Sequence, residues 1–189
     1  VIPDRIEAGT YLIAGATMGG ITLNNCNPKH LEDVINKLKL SGANISSNEN
    51  SLSIEKIDSI ESVDITTEVY PGFPTDLQAQ WMAFMSIAKG KSTIIDTVYH
   101  DRFTHIPELN RLGANIQLKD NKAIVDGVNK LKGAQVMSTD IRASAALILG
   151  AIIAEGKTEI SRVYHIDRGY DSIEKKFQSL GVDIVRINE

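Results

Sequence analysis

The spacing of apolar and polar positions divides the chain into segments of distinct kinds. Ala143-Ser144-Ala145-Ala146-Leu147-Ile148-Leu149 is apolar almost all round, and residues 79–88 come close to the same pattern. A helix with no polar face has to be buried on every side. From Ser172 to Leu180, by contrast, Lys and Glu alternate with Ile, Phe and Leu, which predicts an amphipathic helix with one wet face. Strand-like runs lie between the helices. Val63-Asp64-Ile65-Thr66-Thr67 alternates with period two, and Thr93 to Val98 reads as a further strand. Ala114 to Leu118 and Ala123 to Val125 form a predicted hairpin around Lys119-Asp120-Asn121.

These segments recur in one order. Asp4, Asp76 and Asp140 each open an apolar, small-residue stretch that ends near Gly20, Gly90 and Gly156. A strand-like run and a second helical pattern follow. Each copy closes on a shared signature: Ser41-Gly42-Ala43-Asn44-Ile45, Leu112-Gly113-Ala114-Asn115-Ile116 and Leu180-Gly181-Val182-Asp183-Ile184. From aspartate to closing glycine the copies measure 38, 37 and 41 residues, a register that marks an internal repeat. The expected unit is βαβαββ, with boundaries at about 1–62, 63–131 and 132–189 in a single domain. The opening strand of the first unit belongs at or before Val1 and is expected to be largely missing. Strands wrapped around buried helices satisfy both patterns, with sheets outward, the reverse of a TIM barrel.

Composition narrows the function classes. The 189 residues are 42% hydrophobic and 23% charged, ordinary for a soluble globular chain. A net charge of −4 without a basic stripe argues against a nucleic-acid or anionic-membrane partner. The longest apolar stretch, Ala143 to Ala154, falls short of the roughly 20 residues that span a bilayer. Cys26 stands alone, which excludes an internal disulfide and fits a reducing, cytoplasmic compartment. With no initiator methionine and no basic-then-apolar leader, the chain reads as cut from a longer protein.

Candidate chemistry gathers near the three aspartates. Each sits where a helix N-cap is expected, and Asp76 follows the stiff turn Tyr70-Pro71-Gly72-Phe73-Pro74-Thr75. Asp140 and Arg142 share one helix start, suited to lining an anion site, while Arg102 and Arg168 each precede a second helix. A guanidinium binds phosphate or carboxylate through two parallel hydrogen bonds. Val98 is by pattern a residue at the end of a strand. His105 and His165 lack companions at metal-ligand spacing and are expected to be satisfied polar residues. Gly19-Gly20 reads as a helix end rather than a phosphate loop. Neither a metal nor another cofactor is expected.

Longer strings carry a family resemblance. Pro3-Asp4-Arg5-Ile6-Glu7-Ala8-Gly9-Thr10, Phe73-Pro74-Thr75-Asp76-Leu77-Gln78-Ala79-Gln80, Arg102-Phe103-Thr104-His105-Ile106-Pro107-Glu108-Leu109, the run Gly133 to Ser144, and Tyr164-His165-Ile166-Asp167-Arg168-Gly169-Tyr170 resemble the UDP-N-acetylglucosamine enolpyruvyl transferases. The resemblance covers the whole chain. A shikimate-phosphate enolpyruvyl transferase would share the repeat but not these strings.

The resemblance implies an inside-out α/β barrel of three pseudo-repeats, one of two such domains facing across a cleft. It further implies transfer of the enolpyruvyl group of phosphoenolpyruvate to the 3-hydroxyl of UDP-N-acetylglucosamine, the committed step of peptidoglycan synthesis. Asp76 becomes the base-like, sugar-binding aspartate, and Val98 an aliphatic contact to the sugar nucleotide. Arg168, Arg142, Arg102 and Asp140 fall near the reacting phosphoenolpyruvate. The family's catalytic cysteine loop belongs to the first domain, a partner missing here, and Asn24-Asn25-Cys26-Asn27-Pro28 does not match it. The chain alone is therefore expected to be inactive. The competing reading is a non-catalytic binding module of the same fold, which would ignore UDP-sugars.

Overall fold

A computed structural model describes residues 2–187. Three helices occupy the centre and pack on one another: α1 (Arg5–Met18), α3 (Gln78–Met85) and α5 (Ile141–Ile153). Every residue of α3 is buried, as are Gly9–Ala16 of α1 and Ala143–Gly150 of α5. This is the outcome that helices lacking a polar face require. Polar side chains at their junction bond one another, although Gln80 Oε1 is left without a partner. Gln80 Nε2 donates to Thr10 Oγ1 at 3.2 Å and to Tyr170 Oη at 3.4 Å, and those two hydroxyls are 2.7 Å apart.

Sheets and amphipathic helices cover this centre. In the first sheet β1 (Ile21–Asn24), β2 (Ile45–Asn48) and β3 (Ser51–Ile54) are antiparallel in the order β1-β3-β2, with α2 (Glu32–Leu40) between β1 and β2 in the chain. The second sheet is larger. β4 (Ile65–Thr67) lies parallel to β5 (Lys91–Asp96), and β5 continues antiparallel into β7 (Lys122–Asp126) and β6 (Asn115–Lys119), with α4 (Ile106–Arg111) between β5 and β6 in the chain. In the third, β8 (Gln135–Met137) pairs in parallel with β9 (Glu159–Ser161), followed by α6 (Ile173–Ser179), which buries Ile173 and Phe177 one turn apart. The closing glycines Gly42, Gly113 and Gly181 all take a left-handed φ, at +103°, +92° and +88°, so the three signatures share one backbone shape that L side chains disfavour.

Several expectations need correction. The three sheets are separate in hydrogen bonding, so no closed barrel exists among the described residues; the architecture is α/β with buried helices and outer sheets. The closing signature at Leu180–Ile184, where the βαβαββ plan calls for a strand, forms none, and among the described residues no second strand lies beside it to complete a ladder. The uncovered side of β8 and β9 instead leaves a groove of about 1110 Å³ lined by Val136, Ile148, Ile152, Ile160, Val182 and Ile184. The first unit's opening strand was placed at or before Val1, which lies outside the described residues. Strand β5 starts at Lys91 and stops at Asp96, two residues short of Val98.

Close backbone approach marks the end of the second sheet, just past β7. A Cβ at Gly127 would stand 1.7 Å from the Ala88 carbonyl oxygen, just where Gly127 N donates to Gly90 O at 3.0 Å. Gly127→Ala is expected to destabilise the fold by about 2 kcal/mol or more, since backbone has to move to admit the methyl. Urea unfolding of variant and wild type checks this, and equal midpoints would show that the contact is not as tight as the structure has it.

Candidate active site

The N-terminal ends of the three buried helices meet at one end of the molecule. A Cβ at Gly9 of α1 would touch Leu77 Cδ1, the residue before α3, and one at Gly169 would touch Ile141 at the start of α5. Asp4 and Asp140 cap their helices as the sequence predicts. Asp4 Oδ1 accepts from Ile6 N at 2.8 Å and Glu7 N at 3.2 Å, and Asp140 Oδ1 accepts from Arg142 N at 2.8 Å and Ala143 N at 3.1 Å. Burial pushes the Asp140 carboxyl up, yet those two N–H groups and the nearby positive charges outweigh it, and the group sits below the ordinary carboxylate range.

Asp76 does not cap. A short 3₁₀ turn, Thr75–Leu77, intervenes before α3, and Leu77 takes the capping position without a side-chain bond. The turn leaves the Asp76 carboxylate facing sideways into two arginines. Arg142 reaches Oδ1 with Nε at 2.6 Å and Nη2 at 2.5 Å, and Arg102 Nη1 reaches the same oxygen at 3.4 Å. Oδ2 accepts no hydrogen bond among the described residues, and the side chain is 39% exposed. One oxygen of the carboxylate is thus fixed and the other is open to solvent.

Arg102 is itself held on two sides. Its Nη1 donates to Thr75 Oγ1 at 3.0 Å, and its guanidinium lies 3.7 Å from the centroid of the Tyr99 ring, a cation–π contact. Val98 is half-buried in the loop after β5 and precedes Tyr99 in the chain. The structure therefore unites Asp76, Arg142 and Arg102 in one cluster, with Val98 next to Tyr99. Asp140 joins from the start of α5, where Thr104 Oγ1 donates to its Oδ2 at 3.4 Å. Arg168 is not in that cluster. It is exposed at the end of a 3₁₀ segment, Val163–Arg168, and lines a separate open pocket of about 540 Å³ with Glu7, Tyr170, Glu174 and Arg186. Its neighbour Gly169 packs on Ile141, which keeps Arg168 on the same end of the molecule.

Asp96 was missed, and Val98 and His105 were misread. Asp96, unremarked in the sequence, is fully buried and organises the loop: its carboxylate accepts from Thr67 Oγ1 at 2.7 Å, Thr75 Oγ1 at 2.6 Å, Val98 N at 3.0 Å and Tyr99 N at 2.8 Å. The last two bonds form an Asx-type turn, which is why β5 ends there and Val98 is not a strand residue. An aspartate two and three residues before a loop's N–H groups was the available signal. His165, also expected to be satisfied, is half-buried in the 3₁₀ segment with its ring tilted against that of Tyr164, centroids 4.3 Å apart, and makes no side-chain hydrogen bond among the described residues. His105, expected to be satisfied, is buried with no hydrogen-bond partner at Nε2. No group of metal-ligating side chains exists among the described residues.

With this geometry established, the fold class can be stated. The chain superposes on the enolpyruvyl transferase NikO from Streptomyces tendae with a TM-score of 0.88 and 26% identity, covering 97% of this chain and 44% of that one. EPSP synthase from Acinetobacter baumannii shares the fold at a TM-score of 0.75 and 15% identity, over 99% of this chain and 44% of that one. The fold is that of the enolpyruvyl transferases. A family profile described as EPSP synthase (3-phosphoshikimate 1-carboxyvinyltransferase) matches residues 1–177, and the chain belongs to this family.

Sequence relatives are more specific. The chain is 53% identical over 184 residues to a UDP-N-acetylglucosamine 1-carboxyvinyltransferase of Chlorobium chlorochromatii, covering 97% of this chain and 44% of that protein. It is 50% identical over 188 residues to the protein of that name from Desulfosudis oleivorans, covering 99% and 45%. The chain thus spans under half the length of the curated relatives it matches.

His105 has a measurable consequence. Burial pushes its imidazole down to about 4, against the upward pull of the Asp140 charge. The unfolded imidazole takes up its proton near 6.5 and the folded one only near 4, so the unfolded state gains protons first and stability is lost as pH falls through that window. The loss amounts to about 3 kcal/mol. His105→Leu should flatten the pH dependence of chemical unfolding between pH 6.5 and 4; parallel curves for variant and wild type would refute the assignment.

Proposed function

We propose that this chain is one domain of an enzyme that transfers the enolpyruvyl group of phosphoenolpyruvate to the 3-hydroxyl of UDP-N-acetylglucosamine, in the cytoplasm and in the service of peptidoglycan synthesis. The observation that carries this reading is the Asp76 carboxylate, held on one oxygen by Arg142 and Arg102 and open on the other, in a chain 53% identical to a relative named for that reaction. The same comparison at 15% identity to an EPSP synthase supports only a shared fold, which favours the sugar nucleotide over a shikimate phosphate as acceptor.

In this reading the reaction is an addition followed by an elimination. Protonation of phosphoenolpyruvate at C3 makes C2 electrophilic, the sugar 3-hydroxyl attacks there, and the tetrahedral adduct loses phosphate. The open oxygen of Asp76 hydrogen-bonds the hydroxyl and accepts its proton, which requires a carboxylate within hydrogen-bond reach. Arg142, Arg102 and Arg168 neutralise the phosphate and carboxylate of the donor, and Val98 packs against the sugar nucleotide. Asp140 orients the start of α5 and with it Arg142, through the capping bond to Arg142 N. Preorganised cations in a cleft shut against water contribute several kcal/mol to such a step, by order of magnitude.

Shutting the cleft takes a second domain. In this reading the 189 residues are one domain built on a threefold βαβαββ plan, of which the described residues complete only the second unit, and it faces a first domain that carries the cysteine loop. Residues 1–189 alone are therefore expected to give no turnover with the two substrates, and phosphate release above blank from a preparation free of intact enzyme would contradict that. Binding is the positive test. In an NMR titration, UDP-N-acetylglucosamine should shift the amides around Asp76 and Val98, shikimate 3-phosphate should not, and Asp76→Ala should abolish the response while the remaining spectrum stays folded. A response to shikimate 3-phosphate alone would overturn the assignment of the acceptor.

A further inference from the structure

We propose that Asp96 is a positioning residue whose single buried carboxylate sets both the turn that carries Asp76 and the loop that carries Val98, so that the two halves of the sugar-nucleotide site are placed by one group. The inference rests on the functional reading above for the identity of the ligand. It does not rest on that reading for the geometry.

Four donors converge on Asp96 and come from three segments of chain. Thr67 lies at the end of β4, Thr75 in the turn before α3, and Val98 and Tyr99 in the loop after β5. An ionised carboxylate only accepts hydrogen bonds, so each hydroxyl that meets it must spend its one proton there. That fixes the remaining bonds. Thr75 Oγ1, its proton committed to Asp96 Oδ2, is left to accept from Arg102 Nη1, and does so at 3.0 Å. Thr67 Oγ1, committed to Oδ1, accepts from Thr97 N at 3.1 Å.

The consequences meet at Arg102. Its guanidinium is bracketed by the Thr75 hydroxyl and the Tyr99 ring, and Asp96 holds both, one through Oδ2 and the other through the Tyr99 N–H. From there Arg102 reaches Asp76 Oδ1. The loop is fixed from behind as well: the Asn121 amide, in the turn between β6 and β7, donates to the Asp96 carbonyl oxygen and lies 3.0 Å from His100 Nδ1. Burial alone would favour the neutral acid, but the hydrogen bonds from Thr75, Tyr99 N, Thr67 and Val98 N keep the carboxyl below its ordinary range. An asparagine here would turn a donor toward groups that are already donors, leaving buried polar atoms unpaired. Sites placed by a fully satisfied second layer keep their geometry; sites without one loosen.

The test compares wild type with Asp96→Asn, Thr75→Val and Thr75→Ser, following backbone amides and the Kd for UDP-N-acetylglucosamine by NMR on the whole chain. Asp96→Asn is expected to displace the Val98 and Tyr99 amide resonances and to weaken binding at least tenfold. Thr75→Val removes the one donor on the Asp76 side. It should weaken binding while the Val98 and Tyr99 resonances stay in place, and Thr75→Ser should restore the affinity, which a general loss of stability could not do. If Asp96→Asn fails to fold, the Thr75 pair decides. Wild-type affinity in Asp96→Asn or in Thr75→Val overturns the proposal. A wild type that does not respond to the sugar nucleotide overturns the functional reading and the ligand part of this proposal together, whereas unmoved Val98 and Tyr99 amides in Asp96→Asn overturn the positioning itself.

Discussion

Helices α1, α3 and α5 carry no polar face, and a helix of that kind is stable in water only if it is covered on every side. Most of the architecture follows from that demand. The helices cover one another at the centre, and the sheets and amphipathic helices cover what remains. Their N-terminal ends come together at one end of the molecule, since Gly9 of α1 abuts Leu77 before α3 and Arg142 at the start of α5 reaches Asp76. The unsatisfied N–H groups of helix starts make that end favourable to negative charge. Asp4 and Asp140 answer it by capping, and Asp76 by drawing in arginines.

That division of labour separates three aspartates that the sequence pattern places alike. The three aspartates occupy equivalent places, and a local reading of the sequence gives all three the same role. In the structure the Thr75–Leu77 turn moves Asp76 off the helix axis, so its carboxylate meets Arg142 from another repeat instead of its own backbone. The capping Asp140 fixes the backbone from which Arg142 projects. One copy of the aspartate is thus released from structure because its counterpart is retained in it.

How much of this was legible in the sequence depended on whether the determining contact was local. Periodicity and spacing identified the buried helices, the amphipathic α6, the β6–β7 hairpin and the closing glycines, because each is dictated by residues within a turn or two of one another. The family strings singled out Asp76, Arg142 and Arg102, which the fold brings into contact, together with Arg168, which it leaves apart. What was not legible depends on distant partners. The Asx turn at Asp96 shortened β5 and moved Val98 into a loop, but the same carboxylate also needs Thr67 and Thr75, 29 and 21 residues away. The last strand failed for a similar reason: Val182–Ile184 has the right alternation, but a strand exists only with a partner to pair with, and pattern cannot supply one. His105 looked like any polar residue before Ile106-Pro107, and only the packed structure shows it buried with an unpartnered nitrogen.

The electrostatics of the site then impose a condition on how it can work. Arg142 and Arg102 are both engaged by Asp76 Oδ1, while Arg168 stands apart and exposed. An anion arriving at this end can meet Arg168 first, without breaking an existing ion pair. To reach the other two guanidinium groups it must compete with the carboxylate or share them with it. Sharing is geometrically available, because Arg142 uses Nε and Nη2 on Asp76 and keeps Nη1 free of it, and a planar guanidinium presents its donors along separate edges. An arrangement in which the cations bridge Asp76 and an anion would hold the open oxygen of the carboxylate at a fixed distance from that anion. The proposed attack of a hydroxyl on the donor carbon needs such a spacing, and of the two arginines Arg102 is held from behind by Thr75 and the Tyr99 ring.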